Sequence, residues 1–364
     1  YTASGFAACG KLFSSLFGVS YMTAMIISAV VIVGYTMLGG FLAASTTDFI
    51  QSIIMSIALI IVLIFGVNVA GGLDAVIDNA KALPGYLSMF QSYDVATGTA
   101  SPYRLLTICS TLAWGFGYFG MPHILLRFMA IEDEKKLTLS RRIAIVWVVI
   151  SMAVAVFIGV IGYSMSKVGA IDVLEGSNSE TIIVRIADLL SRHGVIFALL
   201  AGVILAGILA STMSTADSQL LAASSAVSSD MLNRNGKSGI IAARITLLLI
   251  AVFSVILARN PNSSVFQIVS FAWAGFGAAF GPVVLFSLFW RRTNKYGALA
   301  GMLSGGVMIF VWKYLVRPLG GAWNIYELLP AFIVACVAIV VFSLAPPAPD
   351  QSILDEFDRA ASGK

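Results

Sequence analysis

Apolar runs recur along the whole chain, separated by short polar loops. A helix needs about 20 apolar residues to cross a hydrocarbon core about 30 Å thick. The runs near 20–43, 48–70, 105–126, 144–168, 194–227, 239–258, 264–290, 296–315 and 326–345 fit that requirement. Residues 1–17 are also apolar and open without a start signal, which predicts a helix already under way at Tyr1. The pattern therefore predicts nine full spans and one partial span. The hydrophobicity is continuous rather than alternating, which excludes a transmembrane β-barrel.

Two longer connections, 71–104 and 169–193, carry amphipathic pieces at Leu73–Leu83 and Thr181–Leu190. Such pieces suit short helices on the membrane face or a lid over an entrance. Basic residues then set the orientation. Arg127, Lys135, Lys136, Arg141 and Arg142, then Arg234, Lys237 and Arg244, then Arg291, Arg292 and Lys295 fall in loops on one side, with Arg359 and Lys364 in the tail. Positive residues on the other side are thinly spread, so the clustered side is expected to be cytoplasmic. The expected organisation is a transmembrane domain over 1–345 and a cytoplasmic tail over 346–364, in the plasma membrane.

Composition narrows the class. Of 364 residues, 59% are hydrophobic and 11% charged, and the mean hydropathy is +0.94. Soluble domains carry about 25% charged residues, so a large soluble enzyme is excluded. His123 and His193 are the two histidines, and Cys9, Cys109 and Cys336 lie far apart. Neither set has metal-ligand or disulfide spacing. No transition metal is expected, and no nucleophile–base pair that would make an intramembrane enzyme. The partner that composition predicts is the lipid bilayer, not nucleic acid.

Four segments carry chemistry. Trp114-Gly-Phe-Gly-Tyr-Phe-Gly-Met-Pro122 places Gly115, Gly117, Gly120 and Pro122 inside one span. Broken helices survive in a membrane only inside protein or beside a water-filled cavity, and transporters build midplane sites from them. Trp114 and Tyr118 would then wall a small ligand; a kinked packing helix is the alternative. The G-x-G-x-x-G match at Gly115–Gly120 is set aside, because dinucleotide binding needs a strand before it and a helix after it. Next, Ser211, Ser214, Thr215 and Ser218 follow i, i+3, i+4, i+7 on one helical face, with Asp217 at its edge. Hydroxyls and an intramembrane carboxylate suit a hard cation; self-bonded hydroxyls are the alternative. Ser45-Thr-Thr-Asp48 reads as a helix start with Asp48 in the first turn. Trp273–Pro282 is glycine-rich and reads as packing.

At these residues the chain resembles the sodium/solute symporter family. The resemblance runs through Tyr35-Thr-Met-Leu-Gly-Gly-Phe-Leu-Ala, Trp114 to Ile124, Met213-Ser-Thr with Gln219-Leu-Leu, and Phe271 to Ser287. It implies an all-α, inverted-repeat fold of five plus five helices with extra C-terminal helices. It also implies that the chain begins within the third core helix, so that the fold is incomplete at its N-terminus. The implied activity is sodium-coupled import of proline or a related small amino acid, with sodium as coupling ion and no other cofactor. The family's sodium site falls on Ser211, Ser214 and Thr215; Ser211 stands where Ala, lending only a carbonyl, is usual. A further cation site of some sugar and sialic-acid members corresponds to Asp48, Ser214, Asp217 and Ser218, with Asp217 replacing a hydroxyl. Substrate positions fall on Tyr1, Trp114, Tyr118 and Pro122, and Met121 replaces a Gln. A symporter-like membrane sensor and a symporter for another small organic solute are the alternative readings.

Overall fold

The structure is a computed structural model that describes residues 1–233, 236–260 and 264–362; Arg234 and Lys364 of the charge clusters lie outside them. Helices follow one another as α1 (Thr2–Phe17), α2 (Tyr21–Val69) and α3 (Leu73–Lys81). A small hairpin of β1 (Gln91–Asp94) and β2 (Thr99–Pro102) comes next. Then come α4 (Leu105–Leu112), α5 (Pro122–Met129), α6 (Leu137–Lys167), α7 (Ile182–Ser191), α8 (Val195–Ser225) and α9 (Gly236–Ala258). The chain continues through α10 (Val265–Phe289), α11 (Lys295–Val311), α12 (Leu328–Leu344) and α13 (Gln351–Ser362). Among the described residues six helical runs are long and apolar enough to cross a membrane, and Leu105–Gly120 and Leu328–Leu344 are shorter apolar ones.

The expected spans 20–43 and 48–70 form one helical run, interrupted at Gly40. There φ is 65° and ψ −167°, a conformation glycine reaches without a Cβ penalty. The break therefore sits before Ser45–Asp48, and that segment is not a helix start. Its hydroxyls bond back into the helix instead: Thr46 Oγ1 donates to the Leu42 carbonyl (2.9 Å) and Thr47 Oγ1 to those of Ala43 and Ala44. With neither glycine nor proline between 41 and 48, nothing in that stretch forces a turn.

The chain divides into two compact units, Tyr1–Ser101 with Ile131–Ile268, and Pro102–Ala130 with Val269–Lys364. The first unit has two buried clusters. One joins α1, the first arm of α2, α8 and α9 through Phe6, Met25, Ile32, Leu220 and Leu247. The other joins the second arm of α2 with α6, α7 and α8 through Val62, Ile158, Ile161, Met165, Ile186 and Ile204. Small residues permit this closeness, as at Gly207, where an added Cβ would press on Ala58. Such close approach drives helix association where lipid removes the hydrophobic difference.

In the second unit the irregular segment Ala113–Gly120 is a 3₁₀ turn between α4 and α5. It lies against α10. A Cβ at Gly120 would strike the Phe276 carbonyl oxygen, and one at Gly277 would come within 2.7 Å of the Gly117 Cα. The two glycine-rich segments are thus each other's packing surface. The tail forms α13, and Arg291 holds it by a two-pronged ion pair to Asp358 (3.0 and 2.7 Å).

Candidate functional site

The oxygen-rich stripe lies on α8 in the first unit. Ser211 is exposed, and Ser214, Thr215 and Ser218 are half-buried. The Ser214 and Thr215 hydroxyls both donate to the Ser211 carbonyl, at 3.2 and 3.1 Å, which is the self-bonded alternative offered by the sequence. Two hydroxyls and a carbonyl oxygen thus lie within one turn of helix, bonded to one another; oxygen donors of this kind are hard ligands.

One turn further on, Asp217 is fully buried. Tyr35 on α2 donates its hydroxyl to Asp217 Oδ2 at 2.8 Å, and also reaches the Met213 carbonyl at 3.3 Å. The Ser218 hydroxyl lies 3.3 Å from Asp217 Oδ1 and 3.5 Å from Asp48 Oδ2. The serine thus bridges two carboxylates, one from each of two packed helices. Bringing two such groups together in a low-dielectric interior is costly unless a cation or a proton offsets the repulsion. Of the positions expected for the second cation site, the structure gathers Asp48, Asp217 and Ser218. Tyr35, quoted only for its sequence likeness, is a fourth member that spacing did not reveal.

The aromatic site lies in the second unit. The Trp114 ring stacks on Trp273 (5.4 Å between centroids, 15° between planes), and Tyr118 meets Trp273 edge-on at 4.7 Å. The Trp273 indole donates its Nε1–H to the Trp114 carbonyl at 2.9 Å. That bond satisfies a backbone group inside the irregular turn, as a membrane interior requires. Tyr118 is half exposed, and Met121 is fully buried. Pro122 opens α5, where its missing N–H costs nothing. Tyr1 belongs to the first unit, half-buried at the start of α1, where its carbonyl accepts the Ser4 hydroxyl at 2.6 Å. Sequence reading gave Trp273 a packing role alone, yet it touches both Trp114 and Tyr118.

Comparisons with known proteins agree with this architecture. Residues 1–305 match the sodium:solute symporter family, and the chain belongs to that family. The sodium/proline symporter of Haemophilus influenzae is 41% identical over 99% of this chain and 71% of its own length. The osmoregulated proline transporter of Bacillus subtilis is 37% identical over 96% of this chain and 68% of its own. The sodium/proline symporter of Escherichia coli is also 37% identical, over 99% and 69%. A solved sodium-coupled sialic acid symporter, in a substrate-bound outward-open state, superposes with a TM-score of 0.71 at 16% identity, covering 96% of this chain and 72% of that one. The protein is therefore a multi-pass membrane transporter of the sodium symporter fold, not an enzyme, and it couples solute import to sodium.

Proposed function

We propose that this protein imports proline or a close small amino acid with sodium across the plasma membrane, its C-terminal tail facing the cytoplasm. Residues 1–345 form the transmembrane domain and 346–364 the tail. The relatives named for proline transport support the substrate. Sodium sits on the α8 stripe at Ser211, Ser214 and Thr215. A second cation, either sodium or a proton, sits among Asp48, Ser214, Asp217 and Ser218. The observation that carries this reading is the part-buried bridge Tyr35–Asp217–Ser218–Asp48, which ties α8 to α2 through oxygen atoms alone.

Trp114, Tyr118 and Pro122 form the solute wall, in which the flat apolar ring of proline lies against indole and phenol. Sodium acts by binding one state of the transporter better than the other, since a ligand shifts an equilibrium only by its differential affinity. Inward movement of one charge supplies about 2.3 kcal/mol per 100 mV, in addition to the concentration gradient. In vesicles carrying the full-length protein, labelled proline should accumulate above its outside concentration when a sodium gradient is imposed. It should not do so when potassium replaces sodium. Accumulation indifferent to sodium would refute the coupling.

A further inference from the structure

Tyr326 lies just ahead of α12 in the second unit and is only 9% exposed. Its ring is near-parallel to Trp114, with 6.0 Å between centroids and 16° between planes. Trp114 therefore has two near-parallel aromatic neighbours, Trp273 and Tyr326. Tyr326 is tethered at two points. Its hydroxyl donates to the Ser270 carbonyl on α10 at 2.6 Å, and its backbone N–H donates to the Ser110 hydroxyl on α4 at 3.0 Å.

The next residue adds a fourth tie. Glu327 is 1% exposed and accepts from Arg317 Nη1 at 2.8 Å, with Lys313 Nζ at 3.9 Å. That lysine in turn sits 3.7 Å above the Phe271 ring of α10. A buried carboxylate held by two cations resists displacement, because removing either partner leaves a charge uncompensated. Segments far apart in sequence thus converge on one phenol ring, and that ring lies flat against the indole of the irregular turn.

We infer that Tyr326 is a positioning residue for the solute: it sets the orientation of Trp114 and so sets solute affinity without touching solute itself. The inference rests on the reading that Trp114 lines the solute site. A 3₁₀ turn has poorer hydrogen-bond geometry than an α-helix, and here the neighbouring rings Trp273 and Tyr326 pack on its indole. The ring face, rather than the hydroxyl, is the part that orients the indole; the hydroxyl only places the ring.

The test is labelled-proline uptake by the full-length protein, with KM and maximal rate per inserted molecule measured separately. Tyr326→Leu keeps an apolar side chain but loses the flat face and the hydroxyl, and should raise KM about threefold to tenfold, the range that one aromatic pair gives. The maximal rate per molecule and the half-saturating sodium concentration should stay within about twofold of the parent, a factor under 0.5 kcal/mol. Tyr326→Phe keeps the face and should hold KM nearer the parent value than Tyr326→Leu does. Trp114→Ala serves as the reference for the site. If Trp114→Ala raises KM while Tyr326→Leu does not, the inference fails and the solute site stands. If Trp114→Ala leaves KM unchanged, the placement of solute fails and takes the inference with it. A Tyr326→Phe protein as impaired as Tyr326→Leu also overturns the inference, since the ring would then not be the working part. Loss of inserted protein with KM unchanged shows a structural role only and likewise overturns it.

Discussion

Two glycines two residues apart show how finely the aromatic site is packed. A Cβ at Gly115 meets nothing within 4 Å, whereas one at Gly117 would run into the Trp273 indole. Overpacking of this kind costs about 1–3 kcal/mol. Gly117→Ala should therefore lower the melting temperature of the purified protein and its proline uptake together, while Gly115→Ala leaves the melting temperature unchanged. Thermal unfolding in detergent reads the difference, and equal effects at the two positions would contradict the packing described. At this scale the sequence was legible where the chemistry is local. The i, i+3, i+4 hydroxyls of α8 declare a face by spacing alone. Tyr35 does not, because its partner Asp217 lies 182 positions away and only folding brings the two together. Tyr326 was hidden for the same reason: a lone tyrosine opening the apolar run 326–345 has no periodic neighbour to mark it.

Elements were legible to the extent that their signals were strong. The breakers at Gly115–Pro122 predict an irregular segment, and Ala113–Gly120 is one; of the nine runs read as spans, the described residues form six long apolar helical runs and two shorter ones. The break in α2 was misplaced, because Ser and Thr look like caps in sequence but can equally bond to carbonyls within their own helix. The connection 169–193 gains its order from contacts that no local pattern reveals. Glu180 lies in the short 3₁₀ turn Gly176–Thr181. Its carboxylate takes Lys11 of α1 at 2.8 Å and the Ser264 hydroxyl at 2.7 Å, with the Val265 and Phe266 amides at 3.3 Å. It thus caps the N-terminus of α10 and clasps α1 at once. Burial alone would raise the Glu180 pKa, but these donors outweigh it and hold the carboxyl below its ordinary value of 4.5. A depressed carboxyl stabilises the fold above its unfolded value, and that contribution fades as pH falls through the folded value. Glu180→Gln should lower the melting temperature by about 2–4 °C at pH 7. The gap to the parent should close in acid, below pH 4.5. A gap that persists unchanged there would contradict the clasp.

On the scale of the whole molecule, membership in the sodium:solute symporter family and the shared fold assign sodium-driven import, and the geometry proposes where the ion acts. The sequence pattern alone was enough to place the chain in a membrane, because 59% hydrophobic residues leave no other class open. It could not pair the two carboxylates or align the aromatic rings, since those are products of helix packing across long separations. The central claim is that sodium on the α8 stripe drives solute uptake. It is tested most directly by the sodium dependence of proline uptake in proteoliposomes carrying the parent or Thr215→Ala. The mutant loses the hydroxyl proposed as a ligand while its neighbours stay in place. The half-saturating sodium concentration should rise about tenfold or more, the equivalent of losing about 1.4 kcal/mol of binding, while proline transport at saturating sodium is largely retained. A Thr215→Ala protein with the parent's sodium dependence would contradict the account.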